Sequence, residues 1–532
     1  MTAEFPEWLQ EQPLASVVAV DLPPPNLADN TGDIDRLARA LAAMGFSPLR
    51  LIPAQMDCIS RRLRDLTFSA TAIVGFAGHS WEILDLLPRH SNAPALGFAI
   101  DLGTSSIVFR LIDLSRRSIL SERSFLNPQS VHGEDILSRI QFARTTAGHA
   151  TLRNALLASC RHSMIDALKE HDLSPENVYA VACAGNTAMT HFFVGLDPSN
   201  LAREPYIPAA NTFPICRAPE YGFDFLPNSL LYVFPNVGSY VGGDVVSGIL
   251  ATGLHRVAEP AMLIDVGTNA EVVLGNSDWL LACAGAAGPA LEGGVVASGM
   301  QAIPGAIDHV RINRETLEPS FHVIGEGKPS GICGSGIIDL IAEMFASGIL
   351  TVQGKLRNGT RTRRITCSED GVAYVLVPAA QALGRADISI SEIDVGIFLK
   401  SKAAMYTILS IISRKVGLAF GDIRKIFIAG SFGNRIDPEM AIRIGMIPDL
   451  PPETYSGVGN ASLLGASMTL LDRSLLKEAD LVRGRITYLE LNVNLELMNE
   501  FRGALFLPHT NRRLFPSVRI PESWPGSPER GV

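Results

Sequence analysis

Two stretches of this 532-residue chain repeat one pattern, and the repeat constrains the fold more than any other feature of the sequence. Phe98–Asp113 reads FAIDLGTSSIVFRLID, and Met262–Leu274 reads MLIDVGTNAEVVL. In each copy an apolar run leads to an aspartate, Asp101 or Asp265, and Gly-Thr and a second β-type run follow. The two aspartates are 164 positions apart, which is too far for a solenoid repeat of about 20 to 50 residues. The repeat therefore predicts two homologous α/β subdomains.

The turn that follows each aspartate is suited to phosphate binding. Because glycine has no Cβ, backbone N–H groups at such a turn can approach an anion closely, and a following hydroxyl adds a donor. The aspartate at the strand end offers the oxygen ligands that Mg²⁺ prefers. Asp-x-Gly is also ordinary turn chemistry, so one copy alone leaves a plain hairpin open. Two copies in matching strand contexts favour phosphate loops, and their expected residues are Asp101, Gly103, Thr104, Ser105, Asp265, Gly267, Thr268 and Asn269.

A third glycine-rich turn follows the apolar, strand-like start of Lys425–Phe432 (KIFIAGSF, continued by GNR). Before it lies Glu392–Val416, where apolar residues at helical spacing predict a long amphipathic helix. A flat glycine backbone lets a purine ring lie against the chain, and a strand that simply ends in a turn is the alternative. Gly331–Gly336 (GICGSG) is predicted either to bind phosphate or ribose or to be the entry of a helix over Ile337–Ala346. The nucleotide contacts predicted from these two loops are Gly334, Ser335, Gly430, Ser431 and Gly433.

Asp244 is a third carboxylate with predicted chemistry. The run Val241-Gly242-Gly243-Asp244 opens a helix between the two phosphate loops, where a carboxylate can reach a metal ion or an attacking water. Aspartate in a first helical turn also interacts favourably with the helix dipole, so a structural role is the alternative. The predicted catalytic residues are therefore Asp101, Asp244 and Asp265, of which Asp101 and Asp265 are also the predicted metal ligands.

Two Asp-x-Gly-Thr hairpins followed by a helix, a strand and a glycine loop resemble the ATPases of the actin/sugar-kinase/heat-shock-chaperone superfamily. The resemblance implies an α/β fold with a duplicated actin/hexokinase-like (ribonuclease H-like) core that binds ATP with Mg²⁺. It makes Asp101–Ser106 the first phosphate loop, Asp265–Asn269 the second and Ala429–Gly433 the adenosine loop. ATP is then expected to bridge the two subdomains.

Several longer motifs, occurring in one order, are similar to the ATPase region of reductive activators of corrinoid proteins. The similarity covers about residues 97–509. It implies that ATP hydrolysis drives electron transfer, which returns the Co(II) corrinoid of a partner to the methyl-accepting Co(I) state in methyltransferase systems. The corrinoid is then held by the partner, a corrinoid protein or corrinoid methyltransferase. The motifs that carry the similarity are Gly185–His191, Gly195–Pro198, Ala287–Gly293, Gly331–Gly336, Val493-Asn494 and the run ALFLPH that ends at His509.

The seven cysteines are scattered, and no two lie within four residues of each other. This spacing offers no C-x-x-C pair for zinc, an iron–sulfur cluster or a dithiol, and it favours reduced thiols in a cytoplasm. Activators of this family generally carry an iron–sulfur domain, whereas residues 1–95 contain only Cys58. No iron–sulfur cluster of the chain's own is evident, so the electrons are expected to come from a separate ferredoxin.

Composition bounds the remaining function classes. Hydrophobic residues make up 47%, charged residues 19%, and the net charge is −9, which favours large cores and disfavours binding to nucleic acid or an anionic membrane. The sequence contains no run of 18 uninterrupted apolar residues, so it predicts no membrane-spanning helix. A small-metabolite kinase and a nucleotide-gated scaffold without electron transfer are the alternative functions, and a homodimer is left open. The predicted domains are a small α/β domain at 1–95 that resembles the family's middle domain, ATPase subdomains at 96–260 and 261–510, and a proline-rich tail at 511–532.

Overall fold

The computed structural model describes residues 5–267, 269–285, 296–357, 362–368, 371–430, 433, 435–490 and 495–521. The chain forms two compact units, each built from two stretches of sequence. The first unit is Met1–Ala251 with Ala461–Arg485, and the second is Thr252–Asn460 with Ile486–Val532. The sequence-based boundaries kept 261–510 continuous, whereas residues 461–485 pack with the first unit through contacts that no local pattern reveals.

A small three-stranded antiparallel sheet with two helices forms the first part of the first unit. Its strands lie in the order β1-β2-β3, and the buried side chains of Leu37, Leu41 and Leu63 join the helices to its core. The first strand begins at Ala15 and the first helix at Asp33. The second helix begins at Pro53, because proline is preorganised for a first helical position. The elements are β1 (Ala15–Asp21), α1 (Asp33–Ala43), α2 (Pro53–Asp65), β2 (Ser69–Phe76) and β3 (Trp81–Pro88).

The main sheet of the first unit joins an antiparallel meander to parallel strands. Its strands are β4 (Leu96–Leu102), β5 (Ser106–Asp113), β6 (Ser118–Leu126), β7 (Val178–Gly185), β8 (Cys216–Arg217) and β9 (Leu230–Val233). The order is β6-β5-β4-β7-β9-β8. β4 and β5 and then β5 and β6 pair antiparallel, while β4, β7 and β9 run parallel. Every residue of β7 is buried, as expected for a central parallel strand.

Six helices accompany this sheet in the described part of the first unit. They are α3 (Ile136–Phe142), α4 (Thr146–Glu170), α5 (Thr187–Val194), α6 (Gly243–Thr252), α10 (Ala461–Leu471) and α11 (Ser474–Arg485). α6 and α10 approach each other closely, since a Cβ on Gly465 would lie 2.1 Å from Ser247 O. Only glycine allows this approach.

The main sheet of the second unit repeats the same arrangement. Its strands are β10 (Ala261–Val266), β11 (Ala270–Gly275), β12 (Leu280–Gly285), β19 (Lys425–Ala429), β20 (Tyr455–Gly459) and β21 (Ile486–Tyr488). The order is β20-β19-β10-β11-β12-β21, with β10, β11 and β12 antiparallel and β10, β19 and β20 parallel. Five strands therefore have the same order and directions in both units, which confirms the predicted duplicated α/β core.

Two small three-stranded sheets and four helices complete the described part of the second unit. The sheets are β13 (Ala306–Ile312), β14 (Pro319–Val323) and β15 (Gly331–Ile332), and β16 (Ile365–Ser368), β17 (Gly371–Val377) and β18 (Ile388–Ser391). The helices are α7 (Gly334–Ala346), α8 (Glu392–Lys415), α9 (Pro438–Arg443) and α12 (Leu495–Ala504). The helix predicted from Glu392 is confirmed as α8. By length and composition α8 is also apolar enough to cross a membrane. However, 78% of its 18-residue apolar stretch is buried inside the protein, as in a core helix.

Candidate functional site

The first predicted phosphate loop joins β4 to β5. Asp101 lies near the end of β4, opposite Val108 on β5 and beside Ala184 on β7. Its half-buried carboxylate accepts a hydrogen bond of 2.8 Å at Oδ1 from Ser462 Oγ, in the first turn of α10. Open α/β sheets bind ligands beyond the carboxyl ends of their parallel strands. Asp101 is therefore at the ligand edge of the sheet, and Ser462 fixes its orientation.

Two buried side chains hold the backbone of this loop from the protein interior. Asn127 donates from Nδ2 to Gly103 O at 3.0 Å and from its backbone N–H to Ser105 O at 2.9 Å. Arg139 donates from Nη1 to Thr104 O at 2.8 Å. In a planar trans peptide, the N–H that follows a carbonyl points the opposite way. The N–H groups of Thr104 and Ser105 are therefore directed away from Asn127 and Arg139, which is the orientation an anion requires.

The turn after β7 packs beside the first loop. Asn186 caps α5 and donates from Nδ2 to Thr104 Oγ1 at 3.0 Å. Gly242 lies against this turn so closely that a Cβ would be 2.5 Å from Asn186 Cα. Asp244 follows in the first turn of α6, where its Oδ1 accepts a 2.8 Å hydrogen bond from Val245 N. This bond supports the helix-start interpretation of Asp244, and its catalytic role stays a prediction.

In the second unit, Asp265 occupies the position that corresponds to Asp101. It lies on β10 beside Ala429 of β19. Gly267 N–H donates to Asn269 O at 2.9 Å, which closes a tight turn between β10 and β11. Thr268 lies outside the described residues, so its predicted contact with phosphate stays a prediction.

Gly430 brings the third predicted loop against Asp265. Its φ of +101° lies in the left-handed region. A Cβ at this position would be 2.2 Å from Val266 O and 3.3 Å from Asp265 Oδ1, so the site admits only glycine. Gly433 is buried, and a Cβ there would lie 2.5 Å from Ile428 O, whereas Ser431 lies outside the described residues. The structure thus joins Asp265 and Gly430 at the end of the second sheet.

Gly334 and Ser335 form the buried start of α7. Ser335 is 1% exposed, and its Oγ donates to Asp308 O at 3.1 Å. The Asp308 carboxylate accepts a 2.9 Å hydrogen bond from Arg435 Nη1, in the segment after Gly433. Asp308 therefore links this loop to the segment that follows the glycine loop. The burial supports the helix-entry interpretation, and nucleotide contact by Gly334 and Ser335 stays a prediction.

Asp308 is the centre of a charged cluster beside α7. Its side chain is 4% exposed, and Oδ1 accepts a hydrogen bond of 2.6 Å from His322 Nδ1. Burial raises the pKa of Asp308, but the hydrogen bond from His322, the charges of His309 and His322 and the contact with Arg435 outweigh it. The pKa of Asp308 is therefore below its usual value, so the ionised form is favoured in the folded protein.

Several contacts around the first loop come from residues to which the sequence assigned no role. They are Asn127, Arg139, Asn186 and Ser462. Asn186 lies inside the Gly185–His191 motif, so the family resemblance singled out this stretch but did not indicate the role of Asn186. Ser462 is 361 residues from the aspartate it contacts, and no local spacing indicates such a pair.

The residues of the first loop fit the requirements of Mg²⁺ bound together with a nucleotide. Across the described ranges, no group of three or more His, Cys, Asp or Glu side chains is arranged to hold a metal ion. Mg²⁺ needs no such cage, because it commonly takes one or two carboxylates and completes its shell with phosphate oxygens and water. Asp101, with the Thr104 hydroxyl nearby on the same turn, matches that donor set.

The duplicated sheets, each with an aspartate and a tight glycine turn at the ligand edge, define the class of the protein. It is an ATPase of the actin/sugar-kinase/heat-shock-chaperone (ASKHA) superfamily. Residues 259–519 match the family described as the C-terminal domain of RACo, the ASKHA domain. Residues 96–257 match the RACo middle region, and residues 9–93 match the RACo linker region. The chain belongs to the RACo family, the reductive activators of corrinoid proteins. The small α/β domain, which the sequence likened to the family's middle domain, corresponds to its linker region.

Individual relatives are similar over most of their length. The corrinoid activation enzyme RamQ of Eubacterium limosum is 30% identical over 421 residues, which are 77% of this chain and 70% of that protein. The reductase of the Co(II) methylated amine-specific corrinoid protein from Methanosarcina barkeri is 26% identical over 422 residues, covering 74% of this chain and 73% of that protein. The solved structure of a reductive activator for corrinoid, iron–sulfur protein has a TM-score of 0.91 at 37% identity, covering 97% of this chain and 82% of that one.

Proposed function

We propose that this protein is an ATP-dependent reductive activator of a corrinoid protein in a methyltransferase system. It returns the cobalt of the partner from Co(II) to Co(I), and the electron comes from a separate reduced iron–sulfur protein. The observation that carries the proposal is the correspondence of 97% of the chain to the solved activator at a TM-score of 0.91. The proposed compartment is the cytoplasm, since all seven cysteines are free thiols.

The first loop is the part of the site whose chemistry can be derived from its own contacts. The N–H groups of Thr104 and Ser105 are turned away from the protein interior, because Asn127 and Arg139 hold the carbonyls of Gly103 and Thr104. We assign these N–H groups to the phosphates of ATP. Asp101, oriented by Ser462, is the proposed ligand of Mg²⁺, which neutralises phosphate charge when bound.

The second loop is proposed to bind nucleotide as well. Asp265 lies against Gly430, whose lack of a Cβ leaves the backbone accessible to a flat ring. Gly430 and Gly433 are assigned to the adenosine, and Gly267 and Asn269 to phosphate. Asp244 keeps the proposed role of a carboxylate that orients the attacking water, on the strength of its place in the first turn of α6.

The redox step balances with one electron. Co(II) in the partner's corrinoid gains the electron, and the reduced iron–sulfur protein loses it. Hydrolysis of ATP supplies the free energy for this uphill transfer through a change in affinity for the partner, because a ligand shifts a conformational equilibrium only by its differential affinity for the two states. The dispersed cysteines of this chain are the reason for placing the donor in another protein.

The experiment mixes the full chain with a corrinoid protein in the Co(II) state, a reduced ferredoxin and Mg-ATP, and follows the Co(II) absorbance. We expect its decay only when all four are present. Asp101→Asn should abolish the decay, whereas the matched control Asp224→Asn, an exposed aspartate of the same unit, should leave it unchanged. Phosphorylation of a small metabolite without a corrinoid partner would overturn the proposal in favour of a kinase.

A further inference from the structure

Arg139 places a positive charge directly behind the first phosphate loop. Its side chain has no exposed surface. The guanidinium donates to the carbonyl oxygens of Thr104 at 2.8 Å, Gly133 at 2.8 Å and Glu134 at 3.5 Å. Within the described residues it forms no ion pair with a carboxylate. Arg139 is thus a buried cation whose acceptors are three backbone carbonyls and, at 3.9 Å, the neutral sulfur of Met189.

The burial of this charge is energetically costly. Burial lowers the pKa of Arg139, and the negative charge of Asp135, an exposed residue of the adjacent turn, raises it by a smaller amount. Arginine nevertheless stays protonated in proteins, so the charge persists at a desolvation cost that carbonyl groups offset only in part. A neutral donor would satisfy the Thr104 carbonyl at lower cost. The charge itself therefore calls for a compensating anion.

We infer that Arg139 is a positioning residue for the nucleotide phosphates, acting through the Thr104 carbonyl and through its charge. The inference rests on the proposed function, because it requires ATP at this loop. The peptide between Thr104 and Ser105 separates the guanidinium from the side into which the Ser105 N–H points. The 2.8 Å hydrogen bond, the width of one peptide and a second hydrogen bond place a phosphate oxygen about 8 Å from the guanidinium.

At this separation the charge discriminates among ligands by their phosphates. One unit charge at about 8 Å in a protein interior changes the affinity for an anion on the order of tenfold. Adenosine carries no such charge, so its affinity is independent of Arg139. Loss of the cation is expected to lower the affinity for ATP most and the affinity for ADP less, because ADP carries one phosphate fewer.

The experiment titrates the full chain with Mg-ATP, Mg-ADP and adenosine by calorimetry, in the wild type and in three variants. The variants are Arg139→Met, Arg139→Lys and the matched control Arg153→Met. Arg153 lies in the same unit and donates to two backbone carbonyls, at 3.2 and 2.9 Å. We expect Arg139→Met to lower the affinity for ATP about tenfold and to leave the affinity for adenosine unchanged. Arg139→Lys should restore most of the affinity, and Arg153→Met should bind as the wild type.

A purely structural role would give a different pattern. Equal weakening of ATP and adenosine in Arg139→Met, or unchanged ATP affinity, overturns the inference. If Arg139→Met does not fold, Arg139→Gln keeps a donor for the Thr104 carbonyl without the charge. Equal ATP affinity in Arg139→Gln and Arg139→Lys would then overturn the inference. Absence of ATP binding in the wild type would instead contradict the proposed function.

Discussion

Lys402 is predicted to fasten the C-terminal segment of the second unit to α8. Its side chain is fully buried, and Nζ donates to the backbone carbonyls of Ala504, Phe506 and Pro508 at 2.5–2.8 Å. Burial lowers the pKa of Lys402 well below its usual value. The three acceptors offset part of the cost of keeping this amine out of water, and they tie helix and segment together.

Lys402→Met keeps an unbranched apolar stem but removes every donor to these carbonyls. Each buried acceptor left without its donor costs about 1–3 kcal/mol, so three cost roughly 3–9 kcal/mol. Because the substitution also removes the cost of burying the amine, part of this loss is offset. We expect a net loss of about 3 kcal/mol in the free energy of unfolding. Lys400→Met is the matched control, because Lys400 is exposed on the same helix, and it should change stability by less than about 0.5 kcal/mol.

Urea unfolding of the two variants measures the difference, and amide hydrogen exchange over residues 495–515 locates it. We expect Lys402→Met to unfold at lower urea and to exchange faster in this segment alone. If Lys402→Met and Lys400→Met unfold at the same urea concentration with equal exchange, the three hydrogen bonds do not stabilise the segment and the reasoning is refuted.

Three further predictions concern the two loops and the charged cluster. Gly430→Ala should weaken ATP binding at least about tenfold in a calorimetric titration, since its Cβ would lie 2.2 Å from a backbone carbonyl at a φ of +101°; Gly484→Ala, with open space around its Cβ, is the control. The pKa of Asp308 is lowered in the folded state, so its stabilisation is present above the unfolded pKa of about 3.9 and is lost as pH falls through the lower folded value. Asp308→Asn should therefore flatten the fall in melting temperature below about pH 4, and an unchanged acid profile would contradict this. Ser462→Ala removes the 2.8 Å bond to Asp101 and should slow phosphate release several-fold with folding intact; an unaltered rate would exclude an orienting role.

The parts of the fold that could be predicted from sequence are those with a local signal. The two hairpins were predictable because aspartate, glycine and the flanking β-type runs lie within a few consecutive residues. Helix α8 was predictable because its apolar spacing extends over 24 residues. The short strands of the two small sheets in the second unit carry no comparable period, and they were not predicted.

The supporting side chains of the site were unpredictable for a different reason. Arg139 contacts the carbonyl of a residue 35 positions earlier, and Ser462 contacts Asp101 across 361 positions. Such contacts follow from how sheets and helices pack, and a single sequence displays no regularity that identifies them. Chemistry at a turn can therefore be inferred from adjacent residues, whereas its orientation depends on the tertiary structure.

Helix α10 has a consequence for how ATP binding can be detected. Ser462, in its first turn, contacts Asp101, while near its other end Leu470 O accepts a 2.9 Å hydrogen bond from Leu14 N. The guanidinium of Arg473, just beyond the helix, lies 4.7 Å from the centre of the Trp81 ring. Eleven helical residues form a rod of about 16 Å, so a shift of Ser462 is carried to the linker region without an intervening flexible loop. Trp81 is thus a built-in fluorophore, whose emission should change when a nucleotide binds at the first loop.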